Sequence, residues 1–348
     1  MTKLNGGVGG ALLAVGLINP PPFWTFAGVA ATAALLNVSP GRRSVARWAT
    51  VGYRRLRERT APDSMTSQAG ATETWALYPD HGTMQDPYRR QAFHTAFARA
   101  LTFAGEHARS AGIQVHATHH VTTVDDYSAH TQTISVHVPR SLGASAARVL
   151  GTLEAEFDRL GVLIPVDVDP VPEVVERGPG WVALEGGRHA ATARITGWPT
   201  EADGDLMSDL LLGTSHERRK REQEGRQPAD RSMSTLYRPL PVGQSRRSAK
   251  WSDAFRGAFT KDQVKLDSAS IEAGTTHAAL VQGDVLVDLD AYITVWGDSP
   301  ESVAAARQDL NIQADVRRLR LDWLAGQQHR AHVMTSPHGA QTQKGAVL

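Results

Sequence analysis

The stretch IQVHATHHV, residues 113–121, and the similar run ISVHV, residues 134–138, decide the fold class. In both, apolar and polar residues alternate, the period-2 pattern of a strand with one face on a core. Ile113, Val115 and Ala117 point one way, and His116 and His120 point the other. Ile134, Val136 and Val138 repeat the pattern with His137 opposed, and Asp125, Asp126 and Ser128 supply the turn between the runs. Working outward, residues 88–109 carry Phe93, Phe97, Leu101, Ala104 and Ala108 at spacings of 3 and 4, which predicts an amphipathic helix. A second helix is predicted over 144–160 from Val149, Leu150, Leu153, Phe157 and Leu160. Trp75–Tyr78 before this set and Val162–Val168 after it read as strands, the latter closed by Pro170 and Pro172. The order β-α-β-β-α-β is the ferredoxin-like, or split βαβ, arrangement.

A similar order recurs downstream. Residues 181–197 read as one or two strands, 206–212 as a short helix, and Ser234–Arg238 as a strand. Residues 248–272 read as a long helix with Trp251, Phe255, Phe259 and Leu266 inward. Val285, Val287, Leu289, Ile293 and Val295 fit a strand with a phase change at Asp290. A helix over 300–313 and last strands at Val316–Leu321 and Ala331–Met334 complete a second α+β lobe.

With 348 residues, no cysteine and a net formal charge of +1, the chain excludes disulfides, thiol catalysis and thiolate metal sites. The charge is unevenly placed. Seven arginines and Glu58 lie between Arg42 and Arg59, a stretch of +6 that leaves −5 for the rest. Before it, GGVGGALLAVGLI (6–18), Asn-Pro-Pro-Pro (19–22) and FWTFAGVAATAALLNV (23–38) contain no charge. The prolines cannot continue a helix, because they lack N–H donors and fix φ. Two arms of 13 and 16 residues reach roughly 20 and 24 Å, short of a ~30 Å hydrocarbon core. They predict a short transmembrane or re-entrant helical hairpin with Trp24 near its turn. The positive-inside rule then places Arg42, Arg43, Arg47, Arg54 and Arg55 on the cytoplasmic side against lipid headgroups. A secretory signal is opposed by those arginines, and a buried soluble helix pair is the alternative. The resulting organisation is a membrane hairpin at 1–40, a basic juxtamembrane helix and linker at 41–70, α+β lobes at 71–172 and 173–337, and a flexible tail at 338–348.

Motifs for chemistry are sparse. No G-x-x-x-x-G-K-[ST] loop, G-x-S-x-G elbow or H-E-x-x-H helix occurs, so neither a nucleotide motor nor a common hydrolase is indicated and no cofactor is expected. His116, His120 and His137 share one face of the predicted hairpin and are the candidate metal ligands, set against a solvated polar face of a half-buried sheet. The loop 217–231 mixes six basic and four acidic residues without aromatics, which reads as solvated rather than as a nucleic-acid patch.

Several stretches resemble the non-motor N-terminal region of type IV secretion and conjugation ATPases, in particular related stand-alone actinobacterial membrane proteins. They are Arg194-Ile-Thr-Gly-Trp-Pro199, Leu236-Tyr-Arg-Pro-Leu240, the helix within Ser248–Ile271, Tyr292-Ile-Thr-Val295 and Leu324-Ala-Gly-Gln-Gln328. The closing Ala331–Pro337 lies where that family has a strand ending in a turn at proline. The layout is also similar to component E of type VII secretion. The resemblance implies a non-enzymatic scaffold of a conjugation or secretion apparatus in the plasma membrane, its bulk cytoplasmic. It would work beside a separate motor ATPase and other subunits, without a small-molecule substrate. Self-association and direct nucleic-acid contact stay open. The alternatives are a histidine-sheet metal enzyme and a peripheral lipid- or DNA-binding protein using Arg42–Arg59.

Overall fold

A computed structural model describes residues 69–342 except 84–85, 109–111, 125–126, 200–205, 213–228, 242, 244 and 246–284. These residues all belong to one unit, Asp63–Leu348. The hairpin and its arginines, Asp125 and Asp126, most of the charged loop, and the long helix at 248–272 lie outside the described residues.

The chain is α+β, built on a ten-stranded antiparallel sheet. Its first half comprises β1 (Gly70–Pro79), α1 (Pro87–Ala108), β2 (Gln114–Val124), β3 (Tyr127–Pro139), α2 (Ala146–Phe157) and β4 (Gly161–Pro165). Its second half comprises β5 (Val174–Arg177), β6 (Val182–Leu184), β7 (His189–Gly197), α3 (Leu206–Leu212), β8 (Arg231–Pro239), β9 (Val287–Gly297), α4 (Pro300–Val316), β10 (Arg320–Trp323) and α5 (Gln328–Ala331). Strand order is β4-β1-β3-β2-β8-β9-β7-β6-β5, with β10 also on β7. The two halves, expected as separate lobes, therefore share one sheet. They join where β2 pairs β8, from Val115 opposite Tyr237 to Val121 opposite Arg231. Each of these strands would otherwise present a row of unpaired N–H and C=O groups, and pairing satisfies both rows.

Local chemistry explains the helix starts. Asp86 Oδ1 accepts from the Tyr88 amide at 2.8 Å, with Pro87 at the first helical position, where a missing N–H costs nothing. Ser299 and Ser302 form a capping box ahead of α4, with Pro300 at the same favoured position.

Side-chain parity divides the sheet into two unlike faces. Val115 packs in a cluster with Ile134, Val136, Leu153 and Phe157, and Val121 packs with Met233, Ile293, Val295 and Leu310. Both are odd-numbered residues of β2, whose registers with β3 and β8 contain no shift. The helices α1 and α2 over one half, and α3 and α4 over the other, thus cover the same face. Each buried Leu, Ile or Phe there contributes about 1.5–3 kcal/mol relative to exposure. In β9, Ala291, Ile293 and Val295 stay in phase with Val287, and pairing with β8 runs unbroken from Val287 to Val295. The expected phase change at Asp290 does not occur. Asp290 lies on the opposite face, where Arg194 and Arg238 bind it.

The C-terminus departs most from expectation. Val316 ends α4 rather than starting a strand, and β10 spans only Arg320–Trp323. Ala331–Met334, expected as a strand, falls within α5 and a 3₁₀ turn at His332–Thr335. A further 3₁₀ turn, Pro337–Gln341, occupies part of the expected tail and buries Gly339 and Ala340. This segment lies across the polar face of the sheet, where hydroxyls and imidazoles offer bonds to its backbone that no neighbouring strand supplies.

Candidate functional site

The polar face is lined by the residues opposite the core positions: Thr72, Thr74, His116, Thr118, His120, Thr133, Ser135, His137, Ser232, Ser234, Thr192 and Thr294. Alternation suggested a solvated surface. Instead His116, Ser135, Thr192, Ser234 and Thr294 are wholly buried. The C-terminal cover is bonded across them. The Met334 carbonyl accepts from His116 Nε2 at 3.0 Å and also from the Ser234 hydroxyl. Thr335 and Thr294 join their hydroxyls at 2.7 Å, and Thr294 reaches Thr192 at 2.8 Å. Leu236, Tyr292, Leu324, Ala331 and Met334 add a small apolar contact beneath the cover.

Between this cover, the sheet and the connector 166–172 lies a cavity of about 470 Å³. That size suits a small organic molecule. Its floor holds His120, Ser232, Thr133 and Trp296; its walls include Arg188, His332 and the Val- and Pro-rich connector. The hairpin between β6 and β7 places Arg188. Gly186 and Gly187, at φ +89° and +82°, adopt the left-handed turn that a side chain would strain, and Leu184 N donates to Arg188 O at 2.8 Å. The Arg188 guanidinium binds Asp230 Oδ2 at 2.6 Å and sits 5.0 Å from the centre of the Trp296 ring.

Hydrogen-bond logic assigns the protons. Indole N–H only donates, and Trp296 Nε1 lies 2.8 Å from Ser232 Oγ. Ser232 Oγ, which keeps a second lone pair and its own proton, also bonds His120 Nδ1 at 2.5 Å, as donor or acceptor according to the imidazole tautomer. The Gln328 carbonyl, 3.3 Å from His332 Nδ1, only accepts, so His332 is protonated at Nδ1 and its Nε2 is a lone-pair acceptor. Burial lowers the pKa of both imidazoles, with the Arg188 charge adding to the effect at His120, while Asp230 opposes it there and the Gln328 carbonyl opposes it at His332. Both are neutral at pH 7. His332 is 4% exposed, and among the described residues its Nε2 has no partner; nor does Thr133 Oγ1.

The three histidines singled out from the sequence share this face without converging. His116 binds the cover, His120 belongs to the relay with Ser232, and His137 Nδ1 pairs with Thr72 Oγ1 at 2.8 Å. Among the described residues no group of three or more His, Cys, Asp or Glu could hold a metal ion. Arg231, read as the end of a solvated loop, begins β8 and is 1% exposed, donating to Leu210 O at 2.7 Å and Gln313 Oε1 at 2.6 Å. Sequence reading missed Ser232, Trp296, Arg188 and His332. Trp296 alone left a signal, as a polar-tipped aromatic in phase with the buried Thr294.

The stretches carrying the family resemblance map to the ends of β7 and β8, the middle of β9 and the turn into α5. Among the described residues no helix is long and apolar enough to cross a membrane. Comparison with protein-family models and with curated proteins finds no match.

Proposed function

We propose that the chain is a membrane-anchored scaffold of a conjugation or secretion apparatus, with residues 1–40 as the anchor and the sheet as a docking body. Trp24, Arg42, Arg43, Arg47, Arg54 and Arg55 make the lipid contacts, and the body lies on the cytoplasmic side. Partner subunits, including a separate motor ATPase, assemble on the body. Each half is read as a ferredoxin-like unit. This is supported by the order β4-β1-β3-β2 in the first half and β10-β7-β9-β8 in the second.

The observation that carries the docking role is the exposed strand β4. Among the described residues it pairs only with β1, and it shows Val162 and Ile164 at 58% and 49% exposure beside Tyr78 at 55%. An edge strand with apolar outward residues is the form that accepts a partner strand. Membrane fractionation tests the anchor. Full-length chain is expected in the membrane pellet after alkaline carbonate washing, and a variant lacking residues 1–40 in the supernatant. Full-length chain in the supernatant without detergent would end this reading.

A further inference from the structure

We infer that the cavity between the sheet and its C-terminal cover is a binding site for a small uncharged ligand with an apolar body and a hydroxyl or carboxamide group. This goes beyond the scaffold reading and does not depend on the anchor.

The first support is the presence on the lining of buried polar atoms without partners among the described residues. His332 Nε2 is an acceptor without a partner among the described residues, on a residue only 4% exposed. Ser232 Oγ bonds both Trp296 Nε1 and His120 Nδ1, which holds the His120 ring in place on the cavity floor. Thr133 Oγ1, on the same lining, is a second buried polar atom without a partner among the described residues. A buried polar atom left unbonded is costly, and folded proteins leave few of them. A hydroxyl or primary amide both donates and accepts, so it offers a donor to the His332 Nε2 lone pair and either role to the Thr133 hydroxyl.

The second support is the surrounding chemistry. Val166, Val168, Pro170, Val171, Leu184 and the Trp296 ring supply apolar wall for a carbon skeleton. The charges are placed against an ionic ligand. Arg188 is committed to Asp230 at 2.6 Å and to the Trp296 face. Asp167, Asp169 and Glu185 lie on exposed residues, where they oppose an anion. The carboxylates sit in solvent, and the buried lining groups are imidazoles and hydroxyls, so a charge taken inside loses its hydration without a buried counter-ion.

The test is calorimetric titration of the full-length chain with three isosteric probes: benzamide, benzoate and benzylamine. Benzamide is expected to bind at one site with a Kd on the order of 1 mM, as suits so small a molecule, and the charged probes at least about tenfold more weakly. His332→Phe keeps an aromatic ring, removes the Nε2 acceptor together with the Nδ1–H bond to Gln328 O, and is expected to weaken benzamide about tenfold. Thr133→Val, at a half-buried position, gives a second variant should His332→Phe fail to fold. It is expected to weaken benzamide severalfold while leaving the melting temperature unchanged. No saturable benzamide binding, equal binding of all three probes, or unchanged benzamide affinity in a folded variant overturns the assignment. Membrane fractionation is unaffected by any of these outcomes, so failure here and failure of the scaffold reading are separable.

Discussion

The side-chain amide of Gln328 pairs in both directions with the backbone of Thr192: Oε1 accepts from Thr192 N at 2.7 Å, and Nε2 donates to Thr192 O at 2.9 Å. Thr192 sits on the outer edge of β7, between Ala190, where β6 stops pairing, and Ala193, where β10 starts. One glutamine side chain therefore bonds the backbone within a two-residue gap in the ladder. It also ties the cover to the sheet at a buried position, since Gln328 is 2% exposed. Gln328→Ala leaves the Thr192 amide without this acceptor, whereas Thr192 O retains Leu324 N at 3.2 Å. The expected loss is about 2–3 kcal/mol, read as a lower midpoint in urea. Gln328→Glu is expected to be at least as damaging, because it brings a carboxylate against the Thr192 carbonyl. An unchanged midpoint for both variants would mean that the cover adds nothing to stability.

Acid is expected to destabilise the protein well before its carboxylates titrate. Burial, with a smaller contribution from the Arg238 charge and against the Met334 carbonyl contact, lowers His116 from 6.5 to about 4. Between those values the unfolded chain binds a proton there and the folded chain does not. Stability is therefore complete above pH 6.5 and falls as pH drops toward 4, by roughly 3 kcal/mol for this residue. Burial and the neighbouring His130 lower His119 to about 4 as well, so it acts in the same direction and window. Melting temperature measured from pH 8 to 4.5 should fall steadily, and His116→Gln should flatten the fall. A flat profile in the native chain would count against burial of these rings.

Asp290 stands between two guanidiniums. Burial opposes its ionisation, but hydrogen bonds and charge from Arg238 and Arg194 outweigh that and hold its pKa below the usual carboxylate value. Arg238 Nη1 lies 2.6 Å from Oδ2, and its Nε reaches Gln114 Oε1 at 3.2 Å. Asp290→Asn removes the counter-charge from Arg238, whose side chain is 11% exposed, and is expected to cost about 3 kcal/mol. Arg194, at 35%, is partly solvated and should matter less. Asp290→Asn and Arg194→Gln compared by chemical denaturation should show that order of effect.

Strand β4 separates a docking role from a structural one. Val162 and Ile164 face outward, while Leu163 between them packs against the core. Val162→Lys with Ile164→Lys should change stability by no more than about 0.5 kcal/mol and abolish capture of partner subunits from the native membrane. Leu163→Asp should instead destabilise by several kcal/mol, since it introduces a charge beneath β1 and α1. Partner capture that survives the double lysine variant would move the interface elsewhere.

Legibility followed the range of the interactions. Helices α1, α2 and α4 and the strands β2 and β3 were readable because their apolar periods reflect contact with one nearby core layer. The short segment at Ala331–Met334 was misread, since four residues carry too little pattern to separate a strand from a turn. The candidate cavity was invisible locally. His120, Arg188, Ser232, Trp296 and His332 are separated by 36 to 212 positions, and only strand pairing collects them.

What the chain's own pattern determined was the class: two helix-and-strand halves, each with an apolar face, because alternation and helical spacing are consequences of local backbone geometry. Tertiary structure alone decided that the halves merge through β2 and β8, and that the polar face is roofed rather than wet. The physical reason is that unpaired strand edges, hydroxyls and imidazoles carry no preference for a particular distant partner. They are satisfied by whichever segment the rest of the fold brings within hydrogen-bonding reach, here Met334, Thr335 and Gln328.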